Sequence, residues 1–268
     1  MKIAIVQSDC QSGNVEQNIE NIICNIEKCS RQSADLAVFP EMSDTGYHMP
    51  TIVKTASTWE DGPFQEIAAA ASKFNINVAI GLSEKTDKTI YNTIAVVGRS
   101  GNLVNKYRKT HLITADPICE QNYIGFGKSL ETCELEGVRF GLMTCYDIRF
   151  PEISRIYALD QVDAIIVPAA FPLLRQDHWD ILTRARAIEN QLFLIASNRV
   201  GADEGFLFCG NSRIVDPYGV LSATCSTIDE TIAIAEVDKL RINEIRSKMQ
   251  IFPDRKVQIY KQHSNKLF

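Results

Sequence analysis

The sequence predicts an α/β protein. Strand-type and helix-type segments alternate from one end of the chain to the other, which is the pattern of a layered α/β domain. Two core strands, Asp35-Leu-Ala-Val-Phe39 and Asp163-Ala-Ile-Ile-Val167, are continuously apolar after their aspartates, as strands covered on both faces are. The 268 residues contain no linker or low-complexity stretch. With 45% hydrophobic and 23% charged residues, they suit residues 1–268 as one domain with a sizeable core.

Lys2 to Gln7 reads as a first buried strand. Asn14 is expected to cap the next helix, with Gln17 as its capping-box partner. Val15, Ile19, Ile22, Ile26 and Cys29 then share one helical face. The strand at Asp35 ends in Pro40-Glu41, and a loop, Asp44 to Pro50, follows. Phe64 to Phe74 reads as a helix, and Asn77–Leu82 and Ile90–Val97 as strands. Ser100-Gly101-Asn102 is a hairpin turn that leads into Leu103 to Tyr107. Thr114 to Lys128 is irregular. Val138 to Thr144 is a strand, and Pro151 to Leu159 is a helix with proline where its missing N–H is harmless. The strand from Asp163 is followed by Pro168. A helix over Gln176 to Gln191 presents Ile181, Leu182, Ala185, Ile188 and Leu192 as its apolar face. Leu192 to Ser197 is a strand, Gly210 to Val215 pairs across Asp216-Pro-Tyr-Gly219, Thr231 to Val237 is a strand, and a helix starts near Asp238. The polar tail from Phe252 packs on a neighbour or frays. Asp35 to Pro40 and Asp163 to Pro168 share one form, aspartate, four apolar residues and proline; two similar half-folds and chance both explain it.

Net charge is −5, which argues against a nucleic-acid surface. No apolar run is long enough to span a bilayer, and the start turns polar too soon for a signal peptide, so a cytoplasmic protein is expected. The eight cysteines show no framework spacing and read mostly as packing residues. His48, His111, His178 and His263 lack paired metal-ligand spacing.

Three strand ends carry a reactive group: Glu41, Lys109 and Cys145. Sites in α/β sheets gather outside the carboxyl ends of strands. A thiol to attack, a carboxylate to move protons and an ammonium to neutralise an oxyanion form a hydrolytic set. Cys145 lies between a strand and a helix start, where backbone N–H groups and the helix N-terminus are expected to lower its pKa. Each residue also has a plain structural reading: a packed cysteine, a turn-capping glutamate, and a solvated basic face over Lys106-Tyr-Arg-Lys109.

Phe39-Pro-Glu41, Tyr107-Arg-Lys109-Thr-His-Leu112 and Cys145-Tyr-Asp-Ile-Arg-Phe-Pro-Glu152 resemble the three signature blocks of the nitrilase superfamily, the carbon–nitrogen hydrolases. Pro168-Ala-Ala-Phe-Pro172, His178-Trp179, Arg184 to Gln191, Asn198-Arg-Val-Gly201 and Gly210 to Pro217 resemble it as well, in the right order along nearly the whole chain. The resemblance implies a four-layer αββα sandwich, a homodimer stacked through helices beside the site, and Glu41, Lys109 and Cys145 as the catalytic set. It implies a second glutamate, best matched by Glu120, although Gly127-Lys128 stands where Gly-Asp is usual. The backbone N–H of Tyr146 is the implied partner of Lys109 at the oxyanion. No metal or organic cofactor is implied. Asp147, Arg149 and Glu152 are expected to brace the turn through ion pairs.

Cys145-Tyr-Asp resembles the amidase branches rather than true nitrilases, which favours a small-molecule amide substrate. Pro172-Leu-Leu-Arg175-Gln-Asp-His-Trp179 resembles the branch that includes ω-amidases, which act on monoamides such as 2-oxoglutaramate. Tyr47, Phe171, Arg175 and His178 are the candidates for substrate contact, with Arg175 suited to a carboxylate. Trp179 reads equally as pocket wall or core. N-carbamoyl amino acid amidohydrolase, deaminated-glutathione amidase and nitrilase stay open as alternatives, and a binding protein without catalysis remains a different class.

Overall fold

The computed structural model describes residues 1–203 and 205–263. The first half runs β1 (Lys2–Gln7), α1 (Val15–Arg31), β2 (Leu36–Val38), α2 (Met49–Thr55), α3 (Pro63–Phe74), β3 (Asn77–Lys85), β4 (Ile90–Val97) and β5 (Leu103–Arg108). The second half runs β6 (Thr132–Leu135), β7 (Val138–Leu142), α4 (Pro151–Leu159), β8 (Ala164–Ala169), α5 (Gln176–Asn190) and β9 (Phe193–Asn198). It continues with β10 (Ala202–Asp203), β11 (Phe206–Leu207), β12 (Arg213–Val215), β13 (Leu221–Thr224), β14 (Thr231–Glu236), α6 (Lys239–Lys248), α7 (Ile251–Asp254) and α8 (Val257–Gln262).

Two six-stranded sheets result, in the orders β14-β1-β2-β3-β4-β5 and β13-β12-β9-β8-β7-β6. Each has three parallel strands at its centre, β1-β2-β3 and β7-β8-β9, flanked by antiparallel ones. Their inner faces pack on each other through Ile3, Ile5, Leu36 and Val96 on one side and Phe140, Leu142, Ile166 and Ile195 on the other. α1 and α3 cover the outer face of the first sheet. α4 and α5 cover that of the second. The layers are therefore helix, sheet, sheet, helix: the αββα sandwich.

The aspartate echo has a structural counterpart. Asp35 N donates to Lys2 O while its carboxylate accepts from Lys2 N, at 2.8 and 2.7 Å. Asp163 repeats this with Arg139, at 2.8 and 2.9 Å. Both begin the middle strand of a parallel trio, so the two half-folds match at this point. Pro168 lies inside β8, opposite Ser197, rather than after it.

Several expectations change. Asn14 makes no side-chain cap; Asn18 instead bonds Gln11 and, through its amide, the carbonyl of Asp44. The end of the predicted 44–50 loop is the start of α2, because proline is tolerated in a first helical turn. The apolar face assigned to α5 splits: Ile181 is 65% exposed and Ile188 45%, whereas Leu182 packs partly against the core and Leu192, just past the helix, is fully buried; Trp179, Thr183, Arg186, Ala187 and Asn190 also face inward. The tail from Phe252 contains α7 and α8; its last residues, 264–268, lie outside the described ones. Among the described residues no helix is long and apolar enough to cross a membrane.

Phe140 is fully buried between the sheets. Phe140→Ala should cost about 3–5 kcal/mol of stability, read as a lower urea midpoint with an unchanged m-value.

Candidate active site

The first sheet delivers three side chains to one point. Glu41 follows β2, held where Gly81 of β3 approaches its backbone so closely that an added Cβ would stand 2.6 Å from the Glu41 Cα. A glycine inside an apolar strand is the usual sign of such an approach. Lys109 follows β5, its N–H donating to Asn92 O on β4 at 2.8 Å. Glu120 opens a short 3-10 turn and is pinned by reciprocal contacts with Ile113: backbone N to Ile113 O at 2.8 Å, and Ile113 N to Glu120 Oε2 at 2.7 Å.

The Lys109 ammonium donates to Glu41 Oε1 at 2.9 Å and to Glu120 Oε1 at 2.8 Å, and all three side chains are fully buried. Tyr47 donates its hydroxyl to Glu120 Oε1 at 2.7 Å. Asn92 donates to Glu41 Oε1 at 2.6 Å, and Ala170 N to Glu41 Oε2 at 2.8 Å. Lys109 is thus no solvated basic face; the neighbouring Lys106 and Arg108 pair with Glu84 instead.

The second sheet delivers the thiol. Cys145 begins a 3-10 turn, Cys145–Arg149, with φ of 45°. This left-handed conformation costs a non-glycine residue about 1–2 kcal/mol, so the surroundings must hold it. Asp147, fully buried, does much of that: its carboxylate accepts from Thr144 N at 2.9 Å, Tyr107 OH at 2.7 Å, His111 N at 3.0 Å and Thr110 Oγ1 at 3.2 Å. Tyr107, Thr110 and His111 flank Lys109, so Asp147 couples the cysteine turn to the lysine strand. The expected ion-pair brace is therefore a hydrogen-bond hub on Asp147. Glu152 is exposed and makes no ion pair among the described residues.

Cys145 opens on a cavity of about 480 Å³ with mainly apolar walls. Of the candidates for substrate contact, Tyr47, Phe171 and Arg175 line it; so do Tyr146 and Arg149, the latter placed in the brace by sequence reasoning. The Arg149 guanidinium stacks 5.2 Å from the Phe171 ring centre and donates to His178 Nδ1 at 3.0 Å. His178 itself is exposed and stands behind Arg149 rather than on the cavity wall. Trp179 is core: it is fully buried, packs on Phe171 at 5.1 Å and donates to Asn211 O at 2.9 Å. Asn92 and Ala170 were missed altogether. Asn92 had one faint signal, an amide beside Thr93 at the head of a strand that ends in Ile94-Ala-Val-Val97.

Electrostatics set the resting state. Burial works against the Lys109 charge, but Glu120 and Glu41 outweigh it and hold its pKa well above the usual lysine value. The Cys145 thiol is pushed well above its ordinary value, first by burial and then by the Glu41 charge, with Lys109 opposing. The lowered thiol pKa expected from local N–H groups is thus reversed. At neutral pH the site holds an ammonium and a protonated thiol. Iodoacetamide labelling of Cys145 in the ligand-free protein should accordingly be slow at neutral pH and rise only above the ordinary thiol range of about 8.5. A labelling midpoint below that value would contradict the assignment.

A carbon-nitrogen hydrolase family model matches residues 2–247. The chain is 33% identical over 261 residues to the 2-oxoglutaramate amidase of Bacillus subtilis, covering 96% of this chain and 98% of that one. It is 30% identical over 274 residues to Omega-amidase NIT2 of Bos taurus, covering 99% and 98%. Among solved structures, Saccharomyces cerevisiae Nit3, a member of branch 10 of the nitrilase superfamily, superposes with a TM-score of 0.88 at 28% identity, covering 96% of both chains. The carbon-nitrogen hydrolase of Helicobacter pylori G27 does so with 0.89 at 27% identity, covering 98% and 97%. With its two packed sheets and its family match over nearly the whole length, this chain belongs to the carbon-nitrogen hydrolases of the nitrilase superfamily.

Proposed function

We propose that the chain is an ω-amidase-like amidohydrolase that cleaves the terminal carboxamide of a small carboxylate substrate, such as 2-oxoglutaramate, to acid and ammonia. One observation carries this reading: a buried Glu41–Lys109–Glu120 set beside Cys145, at a cavity that also presents the guanidinium groups of Arg149 and Arg175. Neither guanidinium has an acid partner among the described residues. A guanidinium with open donors suits a substrate carboxylate. The names of the amidase relatives support the same substrate class.

In this mechanism Glu41 takes the Cys145 proton as sulfur attacks the amide carbon. Two of the three Lys109 N–H donors serve the glutamates, and the third meets the oxyanion together with Tyr146 N–H. Glu41 returns the proton to nitrogen, the C–N bond breaks, and ammonia leaves a thioester. Glu41 next deprotonates water, hydroxide attacks the thioester, and the C–S bond breaks with the proton restored to sulfur. Glu120, held by Tyr47 and Ile113, keeps Lys109 in place. Because the resting thiol is protonated, thiolate forms only as Glu41 removes the proton during attack.

The test is ammonia release from 2-oxoglutaramate, succinamate, glutamine, an N-carbamoyl amino acid and a simple nitrile. The first two should be the best substrates, and Cys145→Ala should abolish their turnover. Arg149→Ala should raise KM more than Arg175→Ala, because only Arg149 is oriented by a neighbouring aromatic face and a histidine. Turnover of the nitrile alone, or an active Cys145→Ala protein, would sink the proposal.

A homodimer and a cytoplasmic home belong to the same reading. The adjacent helices α4 and α5 expose Ile156, Leu159, Ile181 and Ile188 on the outer layer, an apolar face suited to a second copy. All eight cysteines are free and six are buried, which fits a reducing compartment. Sedimentation should give twice the 30.0 kDa chain mass, and Ile181→Asp should give the monomer; a monomeric wild type would refute the dimer.

A further inference from the structure

Glu41 has two oxygens, and a general base must present one of them to the thiol. We infer that Asn92 is a positioning residue that commits Glu41 Oε1 to the Lys109 side, so that Oε2 is the oxygen that carries the proton between sulfur, nitrogen and water. The inference rests on the amidase reading above and goes beyond it by assigning a residue and an oxygen.

Glu41 Oε1 accepts from Lys109 Nζ at 2.9 Å and from Asn92 Nδ2 at 2.6 Å. Two charge-assisted donors leave that oxygen little capacity for a proton. Glu41 Oε2 accepts the Ala170 N–H, at 2.8 Å. Ala170 lines the same cavity as Cys145, so Oε2 is the oxygen turned toward the second sheet and the sulfur. Without Asn92, the carboxylate could rotate about its last bond, with Lys109 following either oxygen, and the proton-carrying oxygen would no longer be defined.

Asn92 itself is built as a specialised part. It is fully buried on β4. Its backbone carbonyl receives Lys109 N at 2.8 Å, so one residue fixes both the acid's side chain and the cation's main chain. Its Oδ1 is buried and has no hydrogen-bond partner among the described residues. An unpaired buried acceptor is destabilising, and a leucine of similar volume would fill the space without it. The amide is thus used on one side only: Nδ2 serves Glu41 while Oδ1 goes unmet. The ionisable groups around it are Glu41 and Lys109 in contact, Glu120 and Tyr47 beyond the ammonium, and Cys145 across the cavity.

Two variants test this on the full chain with the best amide of the panel. Asn92→Leu, which removes one donor to the buried carboxylate, should lower Tm modestly, leave KM within about twofold and lower kcat by roughly tenfold or more, the size of a hydrogen bond to a charged group. Asn92→Asp is isosteric, and only its protonated form can donate to Glu41. Its activity relative to wild type should therefore climb as pH falls from about 8 to about 5. Wild-type kcat in Asn92→Leu overturns the inference and leaves the amidase reading standing. So does an Asn92→Asp to wild-type ratio that is flat with pH, since that pattern marks a structural role. If Asn92→Leu fails to fold, the pH dependence of the Asn92→Asp ratio decides alone. A wild type that hydrolyses none of the amides overturns both readings together.

Discussion

The structure is organised around a lysine ammonium sealed inside the protein. An isolated buried charge is expensive, and even a buried pair repays its desolvation only when its geometry is good and its remaining valences are met. Lys109 meets that demand with two carboxylates rather than one. The surplus negative charge is then spread over donors from four places: Tyr47, Asn92, and the backbone N–H groups of Ile113 and Ala170. Remove the ammonium and two carboxylates face each other in the dark; remove either carboxylate and the rest loses its balance. The same arithmetic of charge explains the chemistry. Burial first, and then the Glu41 charge, keep sulfur protonated at rest, and in the proposed mechanism Glu41 holds the travelling proton.

Much of the fold was legible in the sequence because the relevant signals are local. Continuous apolar runs marked β2 and β8, and 3.6-residue spacing marked α1 with the correct inward face. Where a signal depends on what lies across from it, the reading failed. The apolar stripe of α5 has the same periodicity whether it faces a core or a second protein, and only the assembled layers show that Ile181 and Ile188 point out. Asn14 had the right chemistry for a cap, yet Asn18 found better partners in Gln11 and Asp44, the latter 26 positions away.

The site divides in the same way. Glu41, Lys109 and Cys145 stood out because their motifs are dense and ordered, but no motif states a distance. Asn92 looked like one polar residue in a strand, and its partner lies 51 positions earlier. Arg149 sat in a motif already assigned to bracing, so its place on the cavity wall was hidden. The thiol pKa was misread for a related reason: nearby N–H groups can be inferred from a strand–turn–helix pattern, whereas burial is a property of the finished fold and here outweighs them.

The matched half-folds divide the work between them. The first sheet contributes acid, cation and amide; the second contributes sulfur and the Ala170 N–H that meets the acid. The proposed reacting constellation therefore exists only along the seam where the sheets dock. Sliding one sheet against the other by a single residue would leave the Glu41–Lys109–Glu120 cluster intact but break its contact with Ala170 and those of Asp147 with Tyr107, Thr110 and His111. Loss of this seam and loss of chemistry are one event, and no folded half of the molecule can be a lesser enzyme.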